Sequence, residues 1–212
     1  MRGMRIGAAF GLALAFQDGV LFEEKFAEKP GAGWEWVRED AAAWKVEGGA
    51  LSIKVQPGTL WYKTDTAKNL LLRRRPVETG VAAEVEVASK PAQNAEQAGL
   101  HWYVDDGNYV KLVREMVKGD VFVVLSREQG GIPVEIKRVP HNEEETHLRL
   151  SCSGGKITGQ VRGFDADEWR TVDSCDLPGK GEARVGLAAY GGAEKGDRTA
   201  RFTKFRLLKV AK

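Results

Sequence analysis

The chain has 212 residues, a length that single all-β domains commonly reach and that can bury a full hydrophobic core. Its 32 Lys and Arg residues against 30 Asp and Glu residues leave a net charge of +2, which excludes the strongly basic surface typical of nucleic-acid-binding proteins. The hydrophobic fraction of 42% excludes a disordered chain, and no apolar run beyond residue 16 is long enough for a membrane span.

The first fifteen residues have the pattern of a secretory signal peptide. Arg2 and Arg5 precede the uncharged residues 6–16, which contain the small-x-small sequence Ala13-Leu14-Ala15. This run is too short for a membrane-spanning helix; the alternative is a buried N-terminal strand or helix. We therefore expect residues 1–15 to be a signal peptide, residues 16–212 to form one domain, and the protein to be exported to the periplasm or the extracellular space.

Short apolar or alternating segments recur along the rest of the chain and predict strands. Turn sequences such as Gly48-Gly49, Gly130-Gly131 and Gly154-Gly155 separate them. The fourteen predicted strands are residues 20–26, 44–46, 50–55, 69–74, 80–88, 97–104, 109–115, 120–126, 134–139, 146–153, 156–162, 169–174, 183–190 and 199–210. Their spacing, without a helical repeat, predicts an all-β jelly-roll sandwich.

The chain contains two cysteines, Cys152 and Cys175, which an oxidising compartment would allow to pair. The predicted hairpins place Cys152 opposite Ile157 and bring Ser174 to the far side of Ile157, so that one strand separates the cysteines. Two strand spacings are about 9.5 Å, longer than the ~7 Å that a disulfide tolerates between Cα atoms. We expect two free, partly buried thiols.

Three successive strands, residues 80–88, 97–104 and 109–115, alternate between an apolar face and a polar face. If they share one sheet, its outer face carries Glu84, Glu86, His101, Tyr103, Tyr109, Lys111 and Glu115. Aromatic rings beside hydrogen-bonding groups suit a sugar, because its C–H faces stack on rings and its hydroxyls need polar partners. The alternative is an ordinary half-polar solvent face.

Several stretches resemble the concanavalin A-like lectin/glucanase superfamily, in particular Trp44-Lys45-Val46-Glu47-Gly48-Gly49, Glu96-Gln97-Ala98-Gly99-Leu100 and Tyr103-Val104-Asp105-Asp106-Gly107-Asn108-Tyr109-Val110-Lys111-Leu112. The sequence is most similar to the β-sandwich module at the C-terminus of family 43 β-xylosidases and to its stand-alone relatives, over residues 20–210. This resemblance implies a jelly roll of two curved antiparallel sheets, adjacent N- and C-terminal strands, and a concave face that meets carbohydrate. In the xylosidases the module accompanies a separate catalytic propeller.

Relatives of this fold that cleave β-glucans carry the motif Glu-x-Asp-x-Glu on one strand. The nearest match here is Glu84-Val85-Glu86-Val87-Ala88, in which one carboxylate is missing. A strand would place the Cα atoms of Glu84 and Glu86 about 6.8 Å apart, so geometry alone does not exclude hydrolysis. We expect a polar or ligand-contacting pair rather than a catalytic pair.

Metal and cofactor motifs are incomplete. The segment from His141 to His147 lacks the His-Glu-x-x-His spacing, and Asp105-Asp106-Gly107-Asn108 lacks the remaining ligands of a calcium loop. We therefore predict no cofactor and no metal site.

The expected function is that of a lectin-like domain that binds a poly- or oligosaccharide on its concave sheet through the seven polar-face residues named above. A glycoside hydrolase or lyase and a structural or partner-docking domain without a sugar ligand are the alternatives. Nucleic acid is not an expected partner, and weak homo-oligomerisation stays open.

Overall fold

The computed structural model describes residues 19–163 and 168–210, so the predicted signal peptide lies outside the described residues. Within these ranges the chain forms strands and two short 3-10 turns, Ala41–Ala43 and Trp61–Lys63. The strands are β1 (Gly19–Glu24), β2 (Trp34–Val37), β3 (Trp44–Glu47), β4 (Ala50–Lys54), β5 (Leu70–Arg73), β6 (Val81–Ala88), β7 (Gln97–Asp105), β8 (Asn108–Val117), β9 (Asp120–Gln129), β10 (Ile132–Pro140), β11 (Glu145–Ser153), β12 (Lys156–Arg162), β13 (Arg170–Asp176), β14 (Arg184–Tyr190) and β15 (Thr199–Lys209). Across the same ranges, no helix has the length and apolar character needed to cross a membrane.

Two antiparallel sheets form a sandwich, as predicted. The first sheet has the order β13-β12-β11-β6-β15-β4-β3, and β1 also pairs with β15. The second sheet has the order β10-β9-β8-β7-β14-β5-β2. Pairing of β1 with β15 places the first and last described strands side by side, which the resemblance also implied.

The interior between the sheets consists of the apolar sets that alternation predicted. Val85 and Val87 of β6 pack in one cluster with Leu100 and Trp102 of β7 and with Leu112 of β8, and each side chain is at most 1% exposed. The predicted register of these strands is therefore confirmed. Burial of this many large apolar side chains provides the main driving force for folding.

β2 was not predicted as a strand, because its four residues are too short to show a period. Trp34 packs edge-on against Phe205 at 5.0 Å between ring centroids, and Trp36 stacks on Trp44 at 4.7 Å. These three tryptophans therefore help to pack the sandwich, whereas Trp61 lies in the second 3-10 turn, outside the inter-sheet cluster.

Cys152 and Cys175 are free and buried, as predicted. Ile157 of β12 pairs with Cys152 on one side and with Cys175 on the other, so one strand separates the two thiols. The predicted partner of Ile157 was Ser174, one residue away from the observed one. The hairpin between β11 and β12 turns at Gly154 and Gly155, whose φ angles of 57° and 76° favour glycine.

A loop covers part of the second sheet on the side away from the inter-sheet core. We call residues 57–69 the covering loop. Its Leu60 and Ala67 are fully buried and form a second apolar cluster on this face. The sheet residues in that cluster are Leu70, Leu72, Tyr103, Tyr109, Ala188 and Tyr190. The outer face of the second sheet is therefore partly a core of its own.

Candidate functional site

The sheet topology separates the seven predicted site residues into two groups. Glu84 and Glu86 belong to β6 in the first sheet, whereas His101 and Tyr103 of β7 and the three residues of β8 belong to the second sheet. Both polar faces point away from the shared core, on opposite sides of the sandwich. The prediction that all seven converge on one face is wrong, because the chain crosses between the sheets at residues 89–96.

Each of the two β6 carboxylates has partners on a neighbouring strand of the first sheet. Glu84 forms an ion pair with Arg149, whose guanidinium lies 4.4 Å from the centre of the Trp169 ring. Glu86 accepts a hydrogen bond from the Thr203 hydroxyl at 3.0 Å. These are cross-strand pairs of the kind that stabilise a sheet.

Four of the five residues on the second sheet are almost fully buried, Lys111 among them at 3% exposure, and the three rings are too enclosed to meet a ligand directly. Tyr109 has no exposed surface, His101 is 1% exposed and Tyr103 is 5% exposed. The covering loop packs over Tyr103 and Tyr109, so neither ring can stack on a sugar from solvent. The expectation that one of these tyrosines supplies the stacking surface is therefore corrected.

Each of the two buried tyrosines donates a hydrogen bond to a carboxylate. The Tyr109 hydroxyl donates to Glu128 at 2.9 Å, and the Tyr103 hydroxyl donates to Asp106 at 2.9 Å. Burial raises the pKa of both tyrosines well above the usual value, so both remain protonated donors. Burial, with a smaller effect from Lys111, lowers the pKa of His101 to about 3 and keeps this ring neutral.

Lys111 and Glu115 lie in a pocket of about 240 Å³ on the second sheet, next to the covering loop. We call it the Trp61 pocket. It is lined by Thr59, Trp61, Ala95, Gln97, Lys111, Glu115, Val124, Ser126 and Glu135. The pocket therefore combines an indole ring, an ammonium, two carboxylates, an amide and two hydroxyls.

The ammonium of Lys111 is the centre of this pocket. Its Nζ donates to Oε1 of Gln97 at 2.6 Å and lies 3.5 Å from a carboxylate oxygen of Glu115. The same Nζ lies 4.8 Å from the centre of the Trp61 ring, a cation–π contact. Burial lowers the pKa of Lys111, and the Glu115 carboxylate opposes that shift.

The aromatic wall of the pocket is positioned by a strained turn. Tyr62, beside Trp61, has a φ of 61°, and its backbone N–H donates to the buried Glu128 carboxylate at 3.1 Å. The backbone N–H of Trp61 donates to the Thr59 hydroxyl at 3.0 Å. A left-handed conformation at a non-glycine residue persists where surrounding contacts hold it, and such residues cluster at functional sites.

Sequence reasoning found Lys111 and Glu115 of this pocket but missed the other seven lining residues. Tryptophans in a sandwich are usually core residues, so Trp61 alone does not indicate a site. The sequence feature that could have placed Trp61 outside the core is the adjacent pair Trp61-Tyr62, which lies in a turn-rich segment without strand alternation. Gln97, Ser126 and Glu135 carry no motif and are brought together by the pairing of β7, β8, β9 and β10.

The two antiparallel sheets and their order define a concanavalin A-like sandwich. The sequence profile of the family described as "Beta xylosidase C-terminal Concanavalin A-like domain" matches residues 23–207, and the chain belongs to this family.

Solved structures share the fold. The GH43 protein BlXynB from Bacillus licheniformis has a TM-score of 0.79 and 20% identity, over 88% of this chain and 39% of that one. A xylan beta-1,4-xylosidase from Bacillus halodurans C-125 has a TM-score of 0.75 and 18% identity, over 88% and 38%. A functionally unknown protein from Saccharomyces cerevisiae has a TM-score of 0.69 and 20% identity, over 85% and 98%. At these identities the likeness shows the fold alone, and this chain spans less than half the length of the two Bacillus proteins. No curated protein matches the chain.

Proposed function

We propose that the protein is a lectin-like module that binds a neutral carbohydrate in the Trp61 pocket. The observation that carries this proposal is the position of the half-buried Trp61 ring beside Lys111 and Glu115, in a pocket large enough to receive a sugar unit. The C–H face of a sugar ring packs on an indole, and its hydroxyls need donors and acceptors at the edge of that contact.

The pocket offers both kinds of polar partner. The half-buried Thr59 hydroxyl can donate and accept, and the carboxylates of Glu115 and Glu135 accept; the Lys111 ammonium and the Ser126 hydroxyl also line the pocket and are at most 3% exposed. Glu115 pairs with Lys111 at 3.5 Å, and Glu135 pairs with Arg138 at 3.4 Å. The described residues that line the pocket thus include no unpaired cation that could hold a sugar acid. The proposed ligand is therefore a neutral glycan.

Family membership supports a role connected with carbohydrate and guides the choice of probes. One of the similar structures is named a xylan beta-1,4-xylosidase, which makes xylohexaose the first probe. Cellohexaose and mannohexaose test other neutral β-linked chains, and hexagalacturonate tests the predicted rejection of acidic sugars.

The test is calorimetric titration of the full chain and of Trp61→Ala with these four probes. Loss of the indole contact should weaken binding of the preferred neutral hexasaccharide roughly five- to thirtyfold, which corresponds to about 1 to 2 kcal/mol. Trp169→Ala is the matched control, because this half-buried ring lies against Arg149 beside the first sheet. The affinity of Trp169→Ala for the preferred hexasaccharide should equal that of the unchanged protein.

Three results would contradict the proposal. Normal affinity in Trp61→Ala, with an unchanged melting temperature, would show that the pocket is not the sugar site. Loss of affinity in Trp169→Ala alone would instead place the site beside the first sheet, near Glu84. Release of new reducing ends in the same mixtures would identify a glycoside hydrolase or lyase, with Glu115 and Glu135 as the first carboxylates to replace.

A further inference from the structure

We infer that the Trp61 pocket receives the end of a glycan chain and not an internal stretch; this inference rests on the carbohydrate-binding function proposed above. A site for internal stretches must let the chain enter on one side and leave on the other. The geometry of the second sheet closes the Trp61 pocket on the side of β14.

The covering loop forms that closure. In the order β10-β9-β8-β7-β14-β5-β2, the pocket lies over β7 to β10, and the loop packs over β14 and β5 and over the Tyr103 and Tyr109 rings of β7 and β8. Leu60 and Ala67 of the loop have no exposed surface, and neither has Ala188 beneath them. A sugar chain that continued from Trp61 towards β14 would have to displace this buried apolar layer.

The covering loop is fixed at several points. Gln56, just before it, forms a bridge with Tyr190 of β14. The N–H of Thr66 donates to the carbonyl oxygen of Thr59 at 3.1 Å, which closes the loop on itself. Arg38 donates to the Ala67 carbonyl at 2.6 Å. These contacts make the loop a wall rather than a displaceable lid.

A second wall stands at the start of β7, where Ala95 and Gln97 line the pocket. The Ala95 N–H donates to the carbonyl of Met116 at 2.9 Å. Glu96, which lies between Ala95 and Gln97 in the sequence, is almost fully buried and accepts two hydrogen bonds from Arg198, at 2.7 and 2.8 Å. This wall is therefore also held by buried and charge-assisted contacts.

The remaining lining residues show where the pocket opens. Ser126 of β9 is 1% exposed, whereas Glu135 lies on β10, the edge strand of the second sheet, and is exposed. A glycan would therefore place its terminal unit against Trp61 and extend over β9 and β10 into solvent.

The experiment compares chain ends by calorimetry, with the neutral hexasaccharide that binds best in the panel above. One derivative is reduced with borohydride, which opens its reducing-end ring, and a second is O-methylated on its terminal non-reducing 4-hydroxyl. The matching soluble polymer is the fourth probe. One of the two derivatives should lose at least about tenfold in affinity, the other should bind like the parent, and the polymer should bind one protein per chain.

The opposite pattern would overturn the inference. In that pattern, both derivatives would bind with the same affinity as the parent hexasaccharide, and several protein molecules would bind along each polymer chain. That result would leave the proposed carbohydrate-binding function standing. Absence of binding to every hexasaccharide would overturn the proposed function itself, so the two failures are distinguishable.

Discussion

The backbone N–H of Tyr62 donates a hydrogen bond to the carboxylate of Glu128 at 3.1 Å, although Tyr62 is 70% exposed and Glu128 is fully buried. The same carboxylate accepts a hydrogen bond from the Tyr109 hydroxyl. A single buried acid thus links a surface turn to the centre of the second sheet. This link explains how the Tyr62 backbone stays in a left-handed conformation with Trp61 beside the pocket.

We expect Glu128→Leu to destabilise the protein and to release the turn. The change removes the acceptor of the Tyr62 N–H and leaves the fully buried Tyr109 hydroxyl unsatisfied, which costs roughly 1 to 3 kcal/mol. Glu128→Gln keeps an acceptor oxygen and should retain most of the stability. Urea unfolding and hydrogen exchange at the Tyr62 amide would measure both effects; equal stability of the two variants, with a protected Tyr62 amide, would contradict the assignment.

Gly58 should be required for the covering loop. Its φ is +131°, and a Cβ atom at this position would lie 2.6 Å from the carbonyl oxygen of Thr66. Gly58→Ala should therefore lower the free energy of unfolding by about 1 to 3 kcal/mol. Gly31→Ala is the control, because a Cβ there meets no atom within 4 Å. If the two variants have the same melting temperature, the loop is not held as described.

The sequence was sufficient to predict the sandwich and the inward faces of β6, β7 and β8, because alternation is a local property. It predicted that Leu100 and Trp102 face the core and that His101 and Tyr103 face away, and the structure confirms this. It could not assign strands to sheets. Glu86 and His101 are only fifteen positions apart, yet they lie in different sheets because the intervening residues cross the sandwich.

Burial of the outer face was equally inaccessible to sequence reasoning. A polar residue such as Lys111 or His101 on the outward side of a strand predicts a solvent-exposed face, and this prediction fails when another segment covers the face. The covering loop has no regular period, so its packing is a tertiary property. In the folded protein, Leu60 packs on the second sheet in the same cluster as Ala188, a contact that the sequence pattern does not indicate.

The two thiols should react only when the protein unfolds. Cys152 is 2% exposed and Cys175 7%, and burial raises the pKa of Cys175 to about 11. Because thiolates are the reactive form, Ellman's reagent should modify the native protein slowly and two thiols per chain after denaturation. Ser153→Cys, at an exposed neighbour of Cys152, should react at once. A disulfide formed under mild oxidation of the native protein would contradict the strand separation.

We propose that the protein is exported and loses residues 1–15. Expression of the full chain in a host with a Sec pathway, followed by intact-mass measurement of the exported fraction, should give a chain that begins at Phe16. Ala15→Arg should block this cleavage, because the signal peptidase site needs a small residue there. Recovery of an exported chain that retains Met1 would show that the segment is not a cleaved signal.

His101 should make the stability of the protein depend on pH below neutrality. Its pKa is about 3 in the folded chain, against 6.5 for an ordinary histidine, because burial disfavours the imidazolium. Between these values the unfolded chain binds a proton that the folded chain does not. The free energy of unfolding should therefore fall as the pH decreases from 6.5 towards 3, with a contribution from His101 of roughly 1 kcal/mol per pH unit.

The comparison that isolates this contribution is with His101→Phe, which keeps an aromatic ring of similar size and has no charge to gain. Other groups titrate in the same range in both proteins, so the difference between the two slopes, not either slope alone, reports His101. Urea unfolding at pH 7.5, 6.5, 5.5 and 4.5 should show a shallower decline for the variant, even though loss of the 3.3 Å contact with the Tyr190 hydroxyl lowers its stability throughout. Parallel curves would mean that the folded protein accommodates a protonated His101, and the covering loop would then not exclude water from this part of the second sheet.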